Sequence, residues 1–192
     1  MSSGKAESGR PLPGDMAIWF FILAELLVFG VFFAAYAFAR ARHVALFDHY
    51  QQTLDRGSGA LNTLVLITSS WFVVNAVGAI RRNRSASCTR WLLAALGGGG
   101  VFVLIKLHEF AGKAAVGITL STNTFYMFYL SLTFFHFMHV LMGMVILAVI
   151  AAKAHRGGYD ADHYTGVETG ASYWHMVDLV WIVLFPLVYV MH

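Results

Sequence analysis

The sequence predicts an all-α fold, an integral membrane bundle of five transmembrane helices. Composition is the first reason. Of 192 residues, 58% are hydrophobic and 12% are charged, against roughly 45–50% apolar and about 25% charged in a soluble domain. A water-soluble chain of this size has too much surface for its volume to hide so many apolar side chains. The second reason is their arrangement in long, nearly charge-free stretches at about 16–39, 61–80, 91–110, 125–152 and 171–191. Each has about 20 residues or more, enough to cross roughly 30 Å of hydrocarbon at about 1.5 Å per residue. A helix satisfies its own backbone hydrogen bonds, which lipid cannot do.

Residues 1–15 are polar and rich in Gly, Ser and Pro, the composition expected of a mobile tail, and residues 16–192 are expected to form one domain. The first stretch, 16–39, carries Glu25 as its only charge. Ala37-Phe38-Ala39 offers small residues for signal cleavage, but a signal core is about 7–15 residues, so the stretch reads as a retained helix. The second stretch has a polar stripe, Asn62, Thr63, Ser69, Ser70 and Asn75, suited to hydrogen bonds between helices. The third contains Gly97-Gly98-Gly99-Gly100. In lipid such a run lets a neighbouring helix approach closely; the alternative is a lipid or cofactor lying against bare backbone. At its far end Lys106 and Glu109 stand one turn apart, as in many solvated helix ends. The connection from Arg40 to Ala60 is the longest, and no soluble domain, repeat or phosphate-binding loop is visible.

Charge outside the spans sets the expected orientation. Lys5, Arg10, Arg81, Arg82, Arg84, Arg90, Lys153 and Arg156 fall on one side, and Arg40, Arg42, Arg56 and Lys113 on the other. The positive-inside rule then places the N-terminus in the cytoplasm and the C-terminus outside. Trp19, Trp71, Trp91 and Trp174 lie towards span ends, as in an aromatic belt. The formal charge of +3 gives no reason to expect nucleic acid as a partner. A single cysteine, Cys88, excludes an intrachain disulfide framework.

The informative residues are ionisable groups inside the spans, where a charge costs at least about 2.5–3.5 kcal/mol on insertion scales. Glu25 lies nine residues beyond Met16, roughly 13 Å deep. It reads either as a proton-handling carboxylate or as a structural one bonded to a histidine. His136 and His139 share a helix face at a similar depth, which predicts a Glu25–histidine pair. Haem or copper ligation is the rival reading of these two imidazoles. His175 and Asp178 form another i, i+3 pair, either satisfying each other or marking a proton entry point. Signatures of hydrolases and zinc proteases are absent from the sequence.

Five ordered motifs carry a resemblance. They are Phe21-Ile22-Leu23-Ala24-Glu25-Leu26-Leu27-Val28-Phe29, Leu61-Asn62-Thr63 with Thr68-Ser69-Ser70, Lys106-Leu107-His108-Glu109-Phe110, Phe135-His136-Phe137-Met138-His139-Val140 with Gly143, and Tyr173-Trp174-His175-Met176-Val177-Asp178-Leu179-Val180-Trp181. Together they resemble subunit III of the haem–copper oxidase superfamily, in a five-helix form without the first two helices of the mitochondrial type. The ending Trp181-Ile182-Val183-Leu184-Phe185-Pro186-Leu187 is most similar to the NorE branch associated with nitric oxide reductase. The resemblance implies a non-catalytic component, without activity of its own, of a haem–copper oxidoreductase complex in respiratory electron transport, either a nitric oxide reductase or a terminal oxidase. It would stabilise a catalytic haem-bearing subunit, bind membrane phospholipid and support proton uptake in a bacterial inner membrane. Haem and metal would belong to the partner, with no cofactor in this chain. The family's carbodiimide-reactive glutamate corresponds to Glu25, its structural histidines to His136, His139 and His175, and its last acid to Asp178. Outside the family, a stand-alone proton-coupled transporter using Glu25 is the alternative function.

Overall fold

A computed structural model describes residues 16–191, so the expected tail lies outside the described residues. The order is α1 (Met16–Arg42), α2 (Val44–Gln51), α3 (Arg56–Ile80), α4 (Ser85–Ala115), α5 (Thr124–His155) and α6 (Thr165–Phe185), closed by a π-helical segment at Pro186–Val190. Among the described residues, five helices are long and apolar enough to cross a membrane: α1, α3, α4, α5, and α6 continued through the π-segment. The all-α membrane architecture is thus as the composition predicts.

Local chemistry explains the ends. Asp55 caps α3 by accepting from the backbone N–H of Gly57 (2.9 Å) and Ser58 (3.2 Å). Asn123 caps α5 by accepting from the N–H of Tyr126 at 2.9 Å. Helices α4 and α5 stop in Schellman turns, with Gly117 (φ 74°) and Gly157 (φ 72°) in the left-handed region. In each turn the next two N–H groups return to the last carbonyls, as in Ile118 to Lys113 and Gly158 to Lys153. Pro186 has no N–H to continue α6, and the chain widens to a π-turn in which the Met191 N–H reaches the Pro186 carbonyl at 2.9 Å. The connection after α1 is not simply a loop, since it folds α2, whose Phe47 is buried against Tyr36 and Phe125.

Helix α3 packs most extensively on α4, α5 lies between α4 and α6, and α1 sits at the margin against α5 and α6. The core is aromatic, with Trp174, Trp181, Tyr129, Tyr189, Phe102 and Phe125 all buried. Trp174 is therefore a core residue and not part of an interfacial belt. Only part of the glycine run makes a close approach. A methyl on Gly98 would stand 2.9 Å from Ser69 Cβ, and one on Gly99 would stand 2.9 Å from Trp174. Gly97 and Gly100 have nothing within 4 Å, so the packing role expected of all four belongs to the middle pair.

Candidate functional site

The polar residues of the bundle gather in three places. The first joins α1 to α5. His139 Nδ1 lies 2.8 Å from the Phe135 carbonyl, and its Nε2 lies 3.0 Å from Glu25 Oε2. A carbonyl only accepts, so Nδ1 carries a hydrogen. Nε2 then either accepts from a protonated Glu25 or donates to its carboxylate. Either way, one proton sits between the two groups. Phe29 and Phe135 wall the imidazole at ring-centroid distances of 5.2 and 4.6 Å. The Glu25 side chain keeps 21% of its surface open, because α1 is the marginal helix. Both nitrogens of His139 are thereby engaged.

His136, one turn earlier, does not share Glu25. Its ring is fully buried among Phe29, Phe102 and Trp181, and neither nitrogen has a hydrogen-bond partner. Among the described residues, no group of three or more His, Cys, Asp or Glu is arranged to hold a metal ion.

The second place lies where α4, α5 and the π-segment meet. Lys106 Nζ donates to Glu109 Oε2 (2.8 Å) and to the Tyr189 hydroxyl (2.6 Å). Glu109 Oε1 accepts from Tyr189 (2.8 Å) and from Tyr129 (2.5 Å). Trp181 presents its ring to Lys106 Nζ at 5.0 Å. Lys106 is 0% exposed, so this is a buried network and not the solvated helix end expected from its spacing. Sequence reasoning missed both tyrosines. The usable signal was depth, because Tyr129 begins the fourth stretch while Tyr189 and Glu109 end theirs.

The third place joins α3 to α6. His175 and Asp178 do not bond to each other. Instead His175 Nδ1 meets the Ser70 hydroxyl at 2.5 Å, and the same hydroxyl faces Asp178. Asp178 is buried, with Oδ1 lacking a partner. Thus Ser70 stands where a direct pair was expected. The rest of the α3 stripe divides. Ser69 donates to the Ala95 carbonyl of α4 at 2.8 Å, and Thr63 accepts from the Trp181 indole at 2.9 Å. Asn75 turns back on its own helix to the Trp71 carbonyl, and Asn62 is buried with both amide atoms unpartnered.

Comparison with known proteins identifies the family of the chain. The family described as Cytochrome c oxidase subunit III matches residues 14–192. Cytochrome c oxidase subunit 3 of Thermostichus vulcanus is 33% identical over 178 residues, covering 89% of this chain and 84% of that protein. The subunit 3 of Synechocystis is 33% identical over 184 residues, covering 95% and 78% respectively. A protein of Aeropyrum pernix named Heme-copper oxidase subunit I+III is 27% identical over 188 residues, covering 93% of this chain and 23% of its own length. With the motifs in order and nearly the whole chain matched, this multi-pass membrane protein belongs to the subunit III family of the haem–copper oxidases.

Proposed function

We propose that the chain is a non-catalytic partner that seats on the haem-bearing subunit of a terminal oxidase through its α1 face. The observation that carries this reading is the Glu25–His139 pair at 3.0 Å on the least enclosed helix. A carboxylate near mid-membrane with one-fifth of its side chain open is costly against acyl chains and is stabilised by a protein neighbour. The relative that is named as subunits I and III together supports a subunit I neighbour. The single proton held between Glu25 and His139 suits a group that takes up and passes protons, which is the proton-uptake role proposed for it. An oxygen-reducing partner is favoured over a nitric oxide reductase because the matched relatives are named as cytochrome c oxidase subunits.

Lipid binding belongs to the same reading. A cleft of about 460 Å³ between the ends of α4 and α5 is lined by Phe110, Ile118, Leu120, Leu130 and Phe134, with Lys113 at hand for a phosphate. The arginines at 81, 82, 84 and 90, with Lys153 and Arg156, support a cytoplasmic location for the α3–α4 and α5–α6 turns by the positive-inside rule. The proposed topology accordingly has a cytoplasmic N-terminus in a bacterial inner membrane.

Extraction in mild detergent tests the proposal. The chain should co-purify with a haem spectrum and oxygen-reducing turnover. Turnover on nitric oxide alone would move it to the other partner. Recovery as a lone chain that conducts protons in vesicles would replace the proposal with a transporter.

A further inference from the structure

We propose that the cleft along α6 is a hydrated proton inlet that loads Asp178 from the side of the α6 N-terminus. Four polar residues stand on one stripe of α6 at i+4 and i+3 steps: Glu168, Ser172, His175 and Asp178. Glu168 and Asp178 are ten residue steps apart, roughly 15 Å along the axis. Only the last of the four is buried. Glu168, Ser172 and His175 are half-buried, and Asp178 is 8% exposed.

Two openings follow this stripe. One, of about 350 Å³ between α3 and α6, is lined by Val74, Gly78, Arg81, Glu168, Ser172 and His175. The other, of about 390 Å³ between α1 and α6, includes Trp19, Ile22, Ser172, His175 and Met176. Ser172 and His175 belong to both, so the openings converge on them. The mouth is polar, with Arg81 and Glu168 paired at 2.7 Å. The Glu168 carboxylate raises the pKa of Arg81, which stays a cation there. At the floor, Ser70 bonds His175 and faces Asp178. Asp178 Oδ1 is the one buried acceptor of the stripe without a partner.

A buried carboxylate oxygen without a partner is costly in lipid and is relieved by water or by a proton. A cleft with polar groups at each turn supplies both. A hydronium ion at the mouth gives its proton through water and the Ser70–His175 pair to the carboxylate. One water molecule is released and a neutral carboxylic acid remains. Ser70 on α3 is the group that links His175 to Asp178, since its hydroxyl meets His175 Nδ1 and faces the Asp178 carboxyl. The inlet is separate from the Glu25–His139 pair. It rests only on the membrane placement of α6 and not on which oxidoreductase the chain joins.

Two measurements on the assembled membrane complex test the inlet. In a Cys88→Ser background, Ser172→Cys and His175→Cys should react with a charged, membrane-impermeant thiosulfonate from the α6 N-terminal side only. The rate should be at least about tenfold that of Ile182→Cys on the lipid-facing side, because a thiol reacts as its thiolate and needs water to ionise. Equal rates for the three would overturn the proposal. Separately, the infrared carboxyl signal that Asp178→Asn removes should respond to an H₂O/D₂O and pH switch, and Ser172→Leu should slow that response. A signal that never responds, or one that Ser172→Leu leaves unchanged, would also overturn it. The haem spectrum of the same samples reports partner assembly independently.

Discussion

His139 and Glu25 are joined at 3.0 Å across α5 and α1, and the second ring nitrogen of His139 is fixed on the Phe135 carbonyl at 2.8 Å. The carbonyl settles which nitrogen carries the fixed hydrogen and leaves Nε2 for the glutamate alone. A glutamine at position 25 can donate an N–H to that same nitrogen. Glu25→Gln should therefore preserve the folded chain and its assembly while removing the exchangeable proton. Glu25→Ala leaves Nε2 without its partner and should destabilise the chain by about 1–3 kcal/mol. Thermal unfolding in detergent and the yield of co-purified haem subunit measure the difference. Equal stability for the alanine and glutamine variants would mean that the pair carries no structural weight.

The Lys106 network gives a sharper contrast. Removing only the lysine, as in Lys106→Met, leaves Glu109 buried with its charge uncompensated, a change that costs about 3–5 kcal/mol in comparable pairs. Replacing both partners, as in Lys106→Met with Glu109→Gln, removes the charge and keeps acceptors for Tyr129 and Tyr189. The double variant should regain most of the lost stability, since buried ion pairs are often no better than apolar or neutral substitutes. Unfolding midpoints of the three proteins decide this. A double variant no more stable than the single one would show that the lysine acts through packing alone.

These two networks show what could be read from the sequence and what could not. A charge-poor chain with long apolar stretches dictates its helices, because lipid leaves the backbone no other way to satisfy itself. The Glu25–histidine pairing was legible because depth along a helix follows residue number at a fixed rise. Which histidine takes the glutamate was not, since His136 and His139 share a face and only the rotation of α1 separates them. The burial of Lys106 was also hidden. Its spacing to Glu109 is the same on a solvated helix end as in a core, and the π-turn at Pro186 brings Tyr189 onto it. The i, i+3 spacing of His175 and Asp178 likewise says nothing of Ser70, which comes from another helix.

The glycine run separates into two kinds of position. At Gly99 an added methyl meets Trp174 at 2.9 Å and Met144 at 3.0 Å. Trp174 is buried and cannot swing away, so Gly99→Ala should cost about 1–3 kcal/mol as overpacking. Gly97 faces open space, and Gly97→Ala should be neutral or stabilising by up to about 1 kcal/mol from helix propensity. Thermal unfolding of the isolated chain in detergent measures both. A loss at position 97 that appears only in the assembled complex would identify that face as an interface with the partner.

The α3 cap provides a pH dependence outside the membrane segments. The Ser58 hydroxyl and backbone N–H, together with the Gly57 N–H, hold the Asp55 carboxyl below its ordinary value. A carboxylate with a lowered folded pKa contributes its stability above the unfolded value, about 3.9, and loses it as pH falls through the folded value. The first turn of α3 should therefore be protected at neutral pH and should fray under acid. Asp55→Asn keeps an acceptor that does not titrate, so its first turn should show no acid step. Asp55→Ala should fray at every pH, at a cost of about 1 kcal/mol. Hydrogen exchange at the Gly57 and Ser58 amides as a function of pH reads this directly, and an acid step that persists in Asp55→Asn would place the responsible group elsewhere.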